Sequence, residues 1–428
     1  MPYNKQESKL RQKGYFRTEL IAGLTGYLTT VYIVVVNGSI LSETGISLES
    51  GMIATILVSF IGTLLMGLFA KLPLILIPGM GINALFAYSI VEGTGLTFQE
   101  GLAAVLLAAL IFLITAFTKL GILLKEAIPN SLKHGITAGL GLYLILIGLE
   151  KSGLVVNGDN SVIAIGDFTT PTVIVSILTL FLAIFLFVKN VPANFLITIL
   201  CGTILAYFFG IIDTSGGSAV ALNGQQLFFM PSFSAIGDLS FWLAVFPLAV
   251  VLLFENMGLI NGQLDMLDRN ESYSKAYQVT AFSTLTCAFF GTSPTVSSAE
   301  NAAVIASGGK TGKAAITASL LFLGTVFLIP WITMIPDTAI SPILIIVGMM
   351  MAQNIRLVPL DNLAEAMPAL LIIVMIPFTY SIADGMAFGF IAYPIVKLAQ
   401  GKQKELSVAL LIISTLFLLD FVMKVIGI

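Results

Sequence analysis

Charge is scarce in this chain. Of its 428 residues only 10% are Asp, Glu, Lys or Arg, against 57% hydrophobic, and a water-soluble fold could not cover its surface from that stock. The two cysteines, Cys201 and Cys287, fall inside apolar runs, which argues against a disulfide framework or a zinc site and for buried thiols. One histidine, His134, cannot build a metal cluster alone. No nucleophile–base pair, cofactor motif or hydrophilic segment long enough for a soluble domain is present. An enzyme is therefore the least supported class, and no cofactor, metal or nucleic-acid partner is expected. The opening MPYNKQESKLRQKGYFR has basic residues but no apolar core followed by a small-residue cleavage site, so residues 1–17 read as a cytosolic tail rather than a signal peptide.

What the chain has is apolar runs of spanning length, about fifteen of them. The expected architecture is an all-α polytopic membrane protein of a cell membrane, in contact with lipid throughout. With the N-terminus in the cytosol and each run crossing once, the Lys and Arg residues from Lys71 to Lys404, including Lys119 and Lys125, fall on the cytosolic side. Only Lys151 and Lys424 do not, and this agrees with the positive-inside rule. The longest outer loop, Ile212 to Asp238, has no Lys or Arg.

Two of the runs are broken. In LPLILIPGMGINALFAYSI, from Leu72 to Ile90, Pro78 removes a backbone donor and Gly79 and Gly81 remove side-chain constraint, so a continuous helix is disfavoured. A short extended piece ending near Gly81 and a half-helix from Ile82 or Asn83 are expected. In GTSPTVSSAENAAVIASGGKTGK, from Gly291 to Lys313, a polar extended segment leads into a run from Ala299 to Ser307. Nine residues or so of helix cover only about 14 Å, roughly half a hydrocarbon core. Irregular backbone at that depth is tolerated only inside protein or beside a water-filled cavity. Asn83 and Glu300 then sit at half-helix starts, where free amides favour an anion or an acceptor-rich ligand. The tetrapeptides Ile128-Pro129-Asn130-Ser131 and Ile335-Pro336-Asp337-Thr338 lie about half a chain apart, each suited to capping the run that follows. They suggest an inverted repeat of seven-span units whose third elements meet at mid-membrane.

Glu255 closes an almost unbroken apolar run, FWLAVFPLAVVLLFE. Charged and facing lipid it would cost several kcal/mol, so it must face protein or a cavity, and sharing a polar site with Glu300 and Asn83 is the better reading. Phe86, Tyr32 and Phe254 are candidate stacking residues, with ordinary packing the commoner role for such side chains. His134, beside Lys133, reads as an interface residue more than a proton carrier. Gly308-Gly309-Lys310-Thr311 lacks the upstream glycine of a phosphate loop, since position 304 is Val, and reads as the cytosolic end of the half-helix.

Taken in order, TVYIVVVNGSIL, PGMGINALFAYSI, IPNSLKHGITAGLGLYLILIGLEKSG, GTSPTVSSAENAAVIASGGKTG and MIPFTYSIADGMAFGFIAY resemble the azaguanine-like purine permease branch of the nucleobase–cation symporters, along essentially the whole chain. The resemblance implies about fourteen spans in two inverted seven-span repeats. Residues 18–118 and 239–336 would form a core, and 119–238 and 337–428 a gate. Spans three and ten would start with short strands. One apolar run is then surplus: either Leu406 to Ile426 is an added helix or two of the last three runs form one broken element. The family's base-holding positions match Glu255, Glu300 and Asn83, and the adjoining half-helix residues Ala84 and Asn301 join the expected contacts. Span eight departs from the branch: Glu255-Asn256-Met257-Gly258 looks more like the uracil and xanthine permeases, which leaves the base open.

A purine offers N–H donors to carboxylates and ring acceptors to half-helix amides, with apolar walls for its faces. Two acids close together in a poorly hydrated site cannot both ionise cheaply, so one proton can travel with the base. Proton-driven uptake of a purine nucleobase is the expected function, with sodium as the less favoured driving ion and a homodimer through the gate as an option. An anion exchanger of the sulfate-permease type is the runner-up among transporters, and a membrane nucleobase receptor is the non-transport alternative.

Overall fold

The computed structural model describes residues 3–118, 128–158, 163–212 and 227–426, with side chains from 16 to 422. Lys119 and Lys125, and most of the loop from Ile212 to Asp238, lie outside the described residues. Apolar runs fold as helices because hydrocarbon offers no partner for an amide, and a helix satisfies its backbone internally. Among the described residues nine helices are long and apolar enough to cross a membrane, from Phe16–Ser42 to Ile382–Ala399. The protein is a multi-pass membrane protein. Phe181, Phe185, Phe208, Phe327 and Phe378 stand exposed on its surface.

Both expected interruptions are present. Strand Leu76–Pro78 pairs antiparallel with strand Thr295–Ser297, in the register Leu76 to Ser297, Ile77 to Val296 and Pro78 to Thr295, and all six residues are buried. Each strand feeds a short helix, Met80–Ala84 and Asn301–Ala306. The first widens into π-helical winding over Leu85–Glu92. It begins earlier than the sequence suggests, at Met80 rather than Ile82 or Asn83. The reason is Gly79: its extended backbone caps the helix and its N–H donates to Pro294 O at 3.2 Å, so pairing to the second strand ends there.

Edges this short need other partners, because unpaired amides at this depth are costly. Polar side chains supply them. Thr63 Oγ1 accepts from Leu76 N at 3.0 Å, Asn301 Oδ1 from Ile75 N at 2.8 Å, and Asn256 Oδ1 from Ser297 N at 3.2 Å. Gln263 Nε2 donates to Ser298 O at 2.7 Å.

Helix packing falls into two groups. Phe16–Ser42, Leu48–Leu65, Phe98–Phe117, Leu239–Leu267, Tyr273–Phe290 and Gly312–Gly324 pack on one another around the paired strands. Asn130–Lys151, Pro171–Val188, Asn194–Phe208, Asp337–Ala352, Leu363–Thr379 and Ile382–Ala399 form the other. Within the second group, Asn130–Lys151 and Asp337–Ala352 start at matching positions of the two tetrapeptides, capped by Pro129 and Pro336 rather than by a side-chain hydrogen bond. They touch at Gly141 and Gly348, where a Cβ on either would lie 2.5 Å from the other's carbonyl oxygen, so only glycine permits this approach. The last three apolar runs are separate helices, Leu363–Thr379, Ile382–Ala399 and Val408–Ile426. The first two form an antiparallel hairpin, with Gly385 against Ile376 and Gly389 against Ile372.

Candidate functional site

The two groups of helices enclose a cavity of about 560 Å³ beside the paired strands. Four of the residues singled out from the sequence line it: Tyr32, Phe254, Glu255 and Glu300. Glu300 is the N-cap of Asn301–Ala306, as its place at a half-helix start suggests. Its Oε1 accepts from Tyr32 Oη at 2.6 Å and its Oε2 from Ser298 Oγ, so its direction is set from two sides. Ser298 Oγ in turn accepts from Glu300 N at 3.2 Å. Glu255 reaches the cavity from the middle of Leu239–Leu267. Among the described residues no side chain donates to its carboxylate, which leaves that group available to a ligand.

Four expected contacts are not in the cavity wall, and each has a physical reason. Asn83 is buried one turn inside its helix, because that helix starts at Met80, and its Oδ1 accepts from Ser293 Oγ. Ala84 follows it and is fully buried. Phe86 packs edge-on against Phe98, ring centroids 5.8 Å apart. Asn301 is spent on structure: besides the bond from Ile75 N, its Nδ2 donates to Ile75 O at 3.2 Å and to Ser297 Oγ at 3.1 Å. The two aromatic wall residues do not offer bare faces either. The Tyr32 ring packs edge-on against Phe195 at 4.8 Å and its hydroxyl serves Glu300, while Lys133 Nζ stands over the Phe254 ring at 4.6 Å.

The structure adds residues that the sequence reading left aside. Asn130, Lys133, His134 and Thr137 all line the cavity, so His134 is a wall residue and not only an interface one. Their spacing of three, four and seven places them on one helix face, a signal visible in the sequence. Val347, Met350, Met351 and Asn354 repeat that spacing on the facing helix. Ile77, Val296 and Met257 complete an apolar wall. Such a cavity suits a flat, polar-edged molecule: carboxylates accept from its donors or hold protons, and aliphatic walls cover its faces. Among the described residues no group of three or more His, Cys, Asp or Glu is placed to hold a metal ion, and Cys201 and Cys287 are both free thiols.

Comparison with known proteins gives the same picture at the level of family and fold. The model of the Permease family, Xan_ur_permease, matches residues 17–388. The nucleobase transporter PlAzg2 of Paenibacillus larvae is 44% identical over 383 residues, 88% of this chain and 77% of that protein. The guanine/hypoxanthine permease PbuO of Bacillus subtilis is 36% identical over 96% of this chain and 98% of its own. The adenine permease AdeP of Escherichia coli is 34% identical over 97% and 95%. Among solved structures, the transmembrane domain of the cyanobacterial bicarbonate transporter BicA superposes with a TM-score of 0.68 at 16% identity, over 86% of this chain and 96% of that one. SLC26A9 does so with 0.68 at 15%, over 91% and 66%. At such identities these two show a shared fold.

Proposed function

The chain belongs to the permease family, and from that premise we propose that it takes up purine nucleobases, holding each base between Glu255 and Glu300 and carrying a proton with it. The observation that carries this reading is the placement of two carboxylates from separate elements in the wall of one cavity, with Glu300 already aimed by Tyr32 and Ser298. The names of PlAzg2, PbuO and AdeP support the substrate class. Two acids sharing a cavity of low polarity disfavour double ionisation, and this supports a proton as the coupled ion over sodium.

In this reading residues 18–118 and 239–336 are the core and 119–238 and 337–428 the gate, as two inverted seven-span repeats. The core slides against the gate to expose the cavity to either side. The division of helix packing into two groups and the antiparallel pairing of one strand from each half support it. The N-terminus is cytosolic, the membrane is the plasma membrane, and the gate is the surface for any homodimer. Anion exchange is the second reading, since BicA shares the fold and Lys133 lines the cavity; two carboxylates in the same wall oppose a permanent anion there.

Uptake of labelled hypoxanthine into proteoliposomes, competed in turn by guanine, adenine, xanthine, uracil, bicarbonate and sulfate, with and without a protonophore, tests the reading. Competition by purines and loss of accumulation with the protonophore are expected. Competition by anions alone, or accumulation indifferent to the protonophore but dependent on sodium, overturns it.

A further inference from the structure

The cavity has two walls of different chemistry. One carries acids: Glu255 from Leu239–Leu267 and Glu300 from the half-helix start. The other, formed by the first two turns of Asn130–Lys151, carries Lys133 and His134. Glu300 already accepts from Tyr32 and Ser298, whereas Glu255 has no such donor among the described residues. Lys133 Nζ lies 4.6 Å from the ring centroid of Phe254, the residue that immediately precedes Glu255. A second void of about 20 Å³, the size of one water, has both Lys133 and Glu255 in its wall. Lys133, whose Nζ also donates to Asn130 Oδ1 at 3.2 Å, and Glu255 thus line one water-sized space. Among the described residues the titratable groups lining the cavity are Tyr32, Lys133, His134, Glu255 and Glu300.

From this geometry we infer that Lys133 is the counter-charge that draws the proton off Glu255 when the site faces the cytosol. The inference rests on the proton-coupled purine reading and deepens it. Lys133 lies near the Asn130 end of its helix, the cytosolic end by the distribution of Lys and Arg. It belongs to the group of helices read as the gate, whereas Glu255 belongs to the group that moves. The pair therefore meets only at the inner station. There a fixed cation favours the ionised carboxylate by Coulomb attraction. Glu255 gives its proton to cavity water, its O–H bond breaks, and Lys133 keeps its own protons and remains an ammonium. A deprotonated Glu255 repels the acceptor edges of the base, so base and proton leave together. At the outer station the cation is out of reach and Glu255 takes a proton again. Lys133 on this account is a positioning residue for the proton, not a ligand of the base.

The test is hypoxanthine affinity of the full-length protein across a pH series, measured by calorimetry on wild type, Lys133→Met, Lys133→Gln, Lys133→Arg, His134→Gln and Glu255→Gln. Wild-type affinity falls as pH rises through the ionisation of Glu255. In Lys133→Met and Lys133→Gln that fall moves to higher pH by about one unit or more; in Lys133→Arg it stays where wild type has it. A midpoint shared by wild type and the two neutral variants overturns the inference, as does a shift produced by His134→Gln alone. Glu255→Gln separates the two levels of the argument. If it flattens the profile while the Lys133 variants leave it unmoved, only the role of Lys133 fails. If Glu255→Gln keeps the wild-type profile, the carboxylate reading of the site fails as well.

Discussion

Tyr32 and Glu300, 268 positions apart, meet through a 2.6 Å hydrogen bond from the phenol to Oε1. The bond joins the first membrane helix to the start of a half-helix, and it holds one carboxylate of the cavity in place before any ligand arrives. Pre-orientation of this kind lowers the cost of binding. Tyr32→Phe keeps the ring against Phe195 and removes only the donor. A hydrogen bond to a charged acceptor contributes about 1.5–3 kcal/mol to the fold that already contains it, so the melting temperature in detergent drops, and hypoxanthine affinity measured by calorimetry falls as well because Glu300 is no longer held in place.

Asn301 is expected to matter for stability alone. It is buried beside Glu300 and satisfies both the N–H and the C=O of Ile75. Asn301→Ala orphans the buried N–H of Ile75, whose carbonyl still accepts from Ser298 N at 3.0 Å, and so costs about 1–3 kcal/mol. The melting temperature in detergent drops, while Glu300→Gln, which orphans no backbone group, leaves it near wild type.

How much of this was legible in the sequence depended on which contacts decide each feature. The two broken elements were visible because Pro78, Gly79 and the shortness of the run after Ala299 are local facts. Glu255 was visible because a carboxylate inside an apolar run is costly wherever it points. The rotation of the first half-helix was not legible. It depends on where strand pairing with a segment more than 200 residues away stops, and the resulting start at Met80 turns Asn83, Ala84 and Phe86 out of the cavity. Phe254 was visible as an aromatic but not as the seat of a lysine. The polar stripe of Asn130, Lys133, His134 and Thr137 was legible from its spacing, yet its position near a helix end favours a water-facing reading until the facing helix is known.

Glu19 accounts for the glycine-rich stretch that looks like a phosphate loop. Its buried carboxylate accepts from Lys310 N at 3.0 Å and from Thr311 N at 3.1 Å, so the protein's own anion already fills the nest of amides. Phosphate or ATP added to the protein should give no shift in melting temperature. Glu19→Ala, which leaves those amides unpaired, should lower stability by about 1–3 kcal/mol.

Lys397 has a side chain only 3% exposed and sits between Glu365 at 2.7 Å and Glu405 at 2.6 Å. Glu365 also accepts from Tyr393 at 2.7 Å and from Ser131, and Ser131 opens the helix that bears Lys133 and His134. Lys397→Met leaves the Glu365 carboxylate without its cation and is expected to cost about 3–5 kcal/mol in thermal unfolding. Lys397→Met combined with Glu365→Gln, which keeps an acceptor for Tyr393 and Ser131, should recover part of that loss. Glu405→Gln, on a half-exposed partner, should cost less than about 1 kcal/mol.

The proposed transport cycle needs two acids that share one base and one proton. Its most direct measurement is accumulation of radiolabelled hypoxanthine in proteoliposomes with an alkaline interior, compared between wild type and correctly inserted Glu255→Gln and Glu300→Gln proteins. Wild type should concentrate the base until a protonophore releases it, and each variant should fail to concentrate it. Full accumulation by both variants would contradict the account.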